Sequence, residues 1–228
     1  SFTREVNSLT IADQRTGTND GTDNLSKIEY IQFSDQKVEE LKVDVVKTYS
    51  GKFSDYKFYN RENSLYQIKA ENGFEDITGI PKLLFSDKKL GISAIADIKG
   101  TFDQITGLAD QTGEMFRLYN AAFARFPDSN GLKYWIDMFA SNTNTKRQIA
   151  NSFIGSNEFA ERYGSDVSDF DYIYNLYQNV LGRAPDSAGM NYWVGQITSG
   201  AETRAEALIG FAESTENKNL FSEMTGLY

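Results

Sequence analysis

From about residue 112 onward, apolar side chains return every three or four positions. Met115, Leu118, Tyr119 and Ala122 form one stripe, and Leu132, Trp135, Ile136 and Phe139 form another. That spacing predicts amphipathic helices. The earlier part of the chain is patterned differently. Ile31-Gln32-Phe33 alternates, the apolar runs are short, and polar turn clusters such as "DQRTGTNDGTDN" separate them. These features predict short strands. Residues 43–59 add two strand candidates, and Pro81 marks a strand edge or start. The expected fold class is α+β: a strand-rich module over 1–108, then an all-α module over 109–228, with the changeover near 102–114.

Both modules repeat themselves. "RFPDSNGLKYW" (125–135) returns as "RAPDSAGMNYW" (183–193), and the same offset of 58 aligns Met115 with Ile173, Tyr119 with Tyr177, Phe153 with Phe211 and Glu158 with Glu216. No gap is needed, so the helical module reads as two tandem units, about 112–166 and 169–224. In the first module "LSKIEYIQFSDQKV" (25–38) returns as "ITGIPKLLFSDKKL" (77–90), and "NSLTI" (7–11) resembles "NSLYQI" (63–68). "FSDxK" reads as a turn between strands.

The repeated sentence of the helical half spells a helix corner. Pro127 and Pro185 disfavour α conformation at the residue before them. Asp128 and Asp186 supply carboxylates to cap the bare N–H groups of the next helix. Gly131 and Gly189 then fall in its first turn, where they permit close backbone packing. Arg125 and Arg183 lie three residues before the aspartates, within reach of a local ion pair. Trp135 and Trp193 sit on the apolar stripe and are expected in the core, whereas Tyr134 and Tyr192 lie off it and are candidates for surface contact. A third helix follows in each unit, near 145–155 and 203–213.

Composition narrows the chemistry. The 228 residues include neither histidine nor cysteine, which removes imidazole acid–base work, thiol nucleophiles and the usual zinc ligand sets. No spacing picks out a pair among the 32 acidic residues, so no catalytic residue is assigned and the chain is expected not to be an enzyme. The net charge of −9 is shared by both modules, which argues against nucleic acid as a partner, and no apolar run is long enough to span a membrane.

Two stretches resemble known families. The pattern "LYxxxxxRxPDxxGxxYW", followed by Ser156-Asn157-Glu158-Phe159, resembles a bacterial helical domain family of unknown function that is similar in places to phycobilisome linker domains. Members commonly sit in large secreted or surface proteins. "GTDNLSKIEYIQFSD" (21–35) resembles the segment that closes haemolysin-type calcium-binding repeat arrays. Gly21, Asp23 and Leu25 match the tail of one nonapeptide, while its "GGxGxD" beginning is missing. The resemblance implies type I secretion and makes Asp20 and Asp23 calcium candidates; no other cofactor is expected in this chain. Together the two resemblances imply an extracellular or cell-surface region serving export, anchoring, adhesion or S-layer-like assembly, with cell-surface polysaccharide or other copies of the protein as partners. A carbohydrate-binding or polysaccharide-processing accessory module is the alternative.

Overall fold

The computed structural model describes residues 2–5, 8–12, 21–28, 30–32, 37–39, 42, 44–61, 65–80, 82–87, 89–90 and 93–228. Strands precede helices along the chain, so the fold is α+β as expected. The chain divides into two compact units, and these are cut differently from the sequence division at 108/109. One unit holds Ser1–Phe53 and Ile77–Asp97; the other holds Ser54–Asp76 and Ile98–Tyr228.

In the first unit β1 (Phe2–Glu5), β2 (Ser8–Ala12) and β3 (Thr22–Leu25) form an antiparallel meander. Leu9 is fully buried and faces Leu25 across the β2–β3 pair. A hairpin follows, β4 (Tyr30–Gln32) with β5 (Lys37–Glu39). β6 (Val46–Thr48) runs parallel to β10 (Lys82–Leu84), which pairs antiparallel with β11 (Lys89–Leu90). The duplication seen in the sequence is reproduced in register: Ile31↔Val38 and Gln32↔Lys37 in the first hairpin become Leu83↔Leu90 and Leu84↔Lys89 in the second. Tyr49 stacks on Phe85 at 5.1 Å, and Phe53 meets Phe85 edge-on at 5.2 Å. The expected turn at 33–36 and Pro81 lie outside the described residues.

The second unit begins with another antiparallel meander, β7 (Lys57–Arg61), β8 (Leu65–Ala70) and β9 (Gly73–Asp76). It repeats the strand order of β1–β3, yet it packs with the helices. Phe58, Tyr66 and Ile68 bury one of its faces. Helix α1 (Ser93–Asp103) passes from one unit into the other and brings Phe102 to this core, 6.0 Å from Tyr66.

The two helical copies follow. Copy one comprises α2 (Gln111–Phe123), α3 (Ser129–Ala140), α4 (Lys146–Ile154) and α5 (Asn157–Tyr163). Copy two comprises α6 (Asp169–Leu176, prolonged by a π-helical turn over Tyr177–Leu181), α7 (Ser187–Thr198), α8 (Arg204–Ala212) and α9 (Thr215–Thr225). The caps repeat with the sequence. Thr145 and Gln148 form a capping box, and so do Thr203 and Glu206. Ser156 caps α5, and Ser214 caps α9. The fourth helix of each copy goes beyond the three that the apolar spacing predicts, because seven to eleven residues with few apolar positions carry a weak periodic signal.

The copies pack reciprocally. α4 lies against its own counterpart α8. Phe159 and Tyr163 on α5 reach Tyr172 of copy two, while Phe221 on α9 reaches Phe116 of copy one, 5.6 Å between ring centres. Each copy thus closes the apolar face of the other, which explains why the unit occurs in a pair.

Candidate functional site

At each corner the chain turns three residues before the proline, not at it. α2 ends in a left-handed residue, Ala124 (φ 49°), and its counterpart is Gly182 (φ 69°). Left-handed backbone costs a residue with a Cβ about 1–2 kcal/mol, and glycine much less. Gly182→Ala is therefore expected to destabilise by about 1 kcal/mol, and Ala124→Gly to stabilise by a smaller amount, both read by urea denaturation. Equal effects of the two changes would contradict the reading.

Beyond the proline, Asp128 Oδ1 accepts from the Gly131 N–H at 2.7 Å and Asp186 Oδ1 accepts from the Gly189 N–H at 2.8 Å. Gly131 makes room for this contact, and Gly189 makes room for the Tyr177 side chain beside it. A Cβ on Gly131 would stand 2.8 Å from the capping carboxylate, and one on Gly189 would stand 2.1 Å from the Tyr177 hydroxyl. Burial works to raise the Asp128 carboxyl, but the Gly131 amide, the Tyr119 hydroxyl and Arg125 hold it below the usual carboxylate range. Asp186 is held low as well, chiefly by the Gly189 amide.

The motif arginines reach further than the sequence indicates. Arg125 and Arg183 do lie 3.5 and 3.8 Å from Asp128 and Asp186. Their forked hydrogen bonds go elsewhere. Arg125 donates to both oxygens of Glu158 at 2.5 and 3.1 Å, and Arg183 donates to both oxygens of Glu216 at 2.7 and 2.8 Å. Each guanidinium also lies 5.1 Å from the centre of a tyrosine ring, Tyr119 or Tyr177. The arginine therefore ties the corner to the first turn of α5 or α9, with bidentate geometry that lysine cannot supply. The sequence holds a signal for this: the two glutamates keep the offset of 58.

The two corners differ in surroundings. Phe126 and Pro127 are buried, and Phe126 sits among Phe58, Phe102 and Phe116 at 5.2, 5.0 and 5.9 Å. Thr101 donates to the Pro127 carbonyl, and Gln104 donates to the Ser129 carbonyl. In copy two the equivalent of Phe126 is Ala184, and that corner is exposed.

The aromatic pairs lie on α3 and α7. Tyr134 and Tyr192 are each 53% exposed and meet the neighbouring indole edge-on at 4.9 and 5.2 Å. Trp135 and Trp193, expected in the core, are instead half-buried. The reason is geometric. α3 buries only Leu132 and α7 only Met190, so each indole, packed on Phe153 or Phe211, stays partly exposed. The two indoles are also posed differently, 88° to Phe153 but 38° to Phe211. Gly210 permits the second pose, since a Cβ there would come within 2.4 Å of Trp193; copy one has Ser152 at that position.

One charged contact has no counterpart in the repeat. Arg117, 1% exposed, donates to both oxygens of Glu213 at 2.9 and 2.8 Å and to the Leu108 carbonyl at 2.6 Å. The equivalent positions hold Asn175 and Gly155. Beside it a cavity of about 150 Å³ is lined by Asn120, Arg125, Asn179 and Asn217 among others. That is below the roughly 300 Å³ from which small-molecule sites start. Asp23 is exposed on β3, and Asp20 lies outside the described residues. Among the described residues no three of the metal-ligating types converge on one point.

Residues 150–221 match the family described as a domain of unknown function (DUF4214). The DUF4214 match starts inside α4 and runs into α9, so it takes in the whole second corner: Arg183, Asp186, Gly189, Trp193 and Glu216. No curated protein and no solved structure matches the chain. Among the described residues no helix is long and apolar enough to cross a membrane.

Proposed function

We propose that this chain is a non-catalytic region of a secreted or cell-surface bacterial protein, serving export, anchoring, adhesion or layer assembly. One observation carries the reading. In both copies Arg, Asp and Glu of the duplicated motif are spent on helix caps and forked ion pairs, and the feature turned outward at each copy is an aromatic one, Tyr134 or Tyr192. A motif that builds corners and presents a contact surface suits docking better than turnover. The resemblance of residues 21–35 to the close of a calcium-repeat array supports the export setting. The second reading, a carbohydrate-binding accessory module, is favoured by the exposed tyrosines beside half-buried indoles, a polar-tipped aromatic surface of the kind sugars stack on.

A fusion carrying residues 1–228 at its C-terminal end is expected in the medium of a host with a type I exporter, and inside the cell once the exporter is deleted. Retention in both hosts would refute the export role. Truncation is a poor test here. α9 contributes Phe221, 2% exposed, and Met224, 7% exposed, to the core, so removal of the chain from Asn217 would unfold the helical copies as well.

A further inference from the structure

The meander β7–β9 has two unlike faces. Its buried face carries Phe58, Tyr66 and Ile68. On the opposite face, strand alternation places Lys57, Tyr59 and Arg61 along β7, and the register sets Lys57 directly across from Lys69 and Lys69 across from Phe74. The Arg61 guanidinium lies 5.0 Å from the centre of the Tyr59 ring and 4.7 Å from that of Phe74, and the Lys69 ammonium lies 5.9 Å from Phe74. Phe74 is 49% exposed. Three cations thus share one small aromatic face in a chain of net charge −9. Among the described residues none of the three has a carboxylate within ion-pair distance; Asp76 at the end of β9 and Glu223 on α9 border the face.

This arrangement works against stability. Like charges directly opposite on paired strands repel. Glu223 offsets only part of this at Lys57, where burial and Lys69 work more strongly against the charge, and such a cationic cluster is retained at a cost where binding uses it. Tyr59 is buried on this face, while Lys57, Lys69 and Phe74 are exposed. Lys57 and Arg61 stand four residues apart on one strand, about 13 Å, a spacing that suits the repeated anionic groups of an extended polymer better than a small molecule. In a self-complementary contact between two copies these cations would face their own counterparts, which disfavours a second copy as the occupant.

We propose that the outer face of β7–β9 binds an anionic polysaccharide, with its carboxylate or sulfate groups at Lys57, Arg61 and Lys69 and a sugar ring against Phe74. The proposal rests on the reading of the chain as a surface-docking region, and it names the partner's chemistry.

Calorimetry on the full 228-residue chain tests it, with polygalacturonate as the carboxylated probe, heparin as the sulfated one and dextran as the neutral control. The expected result is binding to at least one polyanion at low salt, loss of that binding in high salt, and no binding to dextran. Neutralising each cation should weaken binding roughly three- to fivefold, and Lys57→Gln/Arg61→Gln/Lys69→Gln together on the order of 30- to 100-fold. Lys69→Gln alone should leave Tm unchanged or raise it by roughly 1–4 °C, because a repulsive pair is removed. Failure to bind either polyanion, binding unaltered in the triple variant, or a lowered Tm for Lys69→Gln would overturn the proposal. So would equal affinity for double-stranded DNA with the same losses, which would assign the face to nucleic acid. Export of the fusion is read separately, so an exported chain that binds no polyanion rejects this site and leaves the export role standing.

Discussion

Phe126→Ala is expected to lower the unfolding free energy by about 3–5 kcal/mol, the usual cost of deleting a buried aromatic side chain. The ring is 2% exposed and stands where three elements meet: the meander through Phe58, α1 through Phe102 and α2 through Phe116. Removing it leaves a void between strand and helix that neither can collapse into without breaking its own hydrogen bonds. The repeat supplies a built-in control. Ala184 occupies the same place in copy two and is exposed, so Ala184→Phe should change stability by less than about 1 kcal/mol. Urea denaturation of both variants decides the matter. A small loss for Phe126→Ala would mean that the meander and the helices do not share one core.

Arg117→Ala should cost about 3 kcal/mol, near the lower end of what breaking a buried ion pair costs. The arginine is 1% exposed, and its loss strands the Glu213 carboxylate, the Leu108 carbonyl and the face of Phe221, which lies 5.1 Å from the guanidinium. Two features hold the figure down: Glu213 keeps a fifth of its surface in water, and Lys218 remains 3.3 Å away. Arg117→Met combined with Glu213→Gln should recover part of the loss, because the stranded charge disappears with its partner. If the double variant is no more stable than Arg117→Ala, the damage comes from lost packing rather than from an orphaned carboxylate.

Much of the helical half is legible in the order of its residues, and for a physical reason. Caps, corners and apolar stripes are local: they depend on residues three or four apart, and an ungapped offset of 58 lets each unit check the other. Asp128 with Gly131 and Asp186 with Gly189 follow from that logic, and both pairs are caps. The placement of the tryptophans does not follow. An apolar stripe shows which side of a helix prefers burial, whereas the depth of burial depends on what lies opposite. Trp135 meets Phe153, and Trp193 meets Phe211 and Gly210, and neither indole is enclosed. The partners of Arg125 and Arg183 escape local reasoning in the same way. Nearness in sequence favours Asp128 and Asp186, while folding brings the better-shaped acceptors from 33 residues downstream.

What the sequence determined by itself was the α+β order, the two duplications and the chemistry of the corners, since each is carried by spacing, by turn residues or by composition. Only the tertiary structure decided how the duplicated parts are used. It separated the second meander from its sequence twin and joined it to the helices. It buried the corner at Phe126 and left the one at Ala184 open, and it assembled Lys57, Arg61 and Lys69 on one face. Such outcomes turn on which face meets which neighbour, a long-range choice between surfaces of nearly equal local pattern. That choice is made by the summed fit of many side chains, Phe126 against Ala184 among them, and no short stretch of sequence contains it.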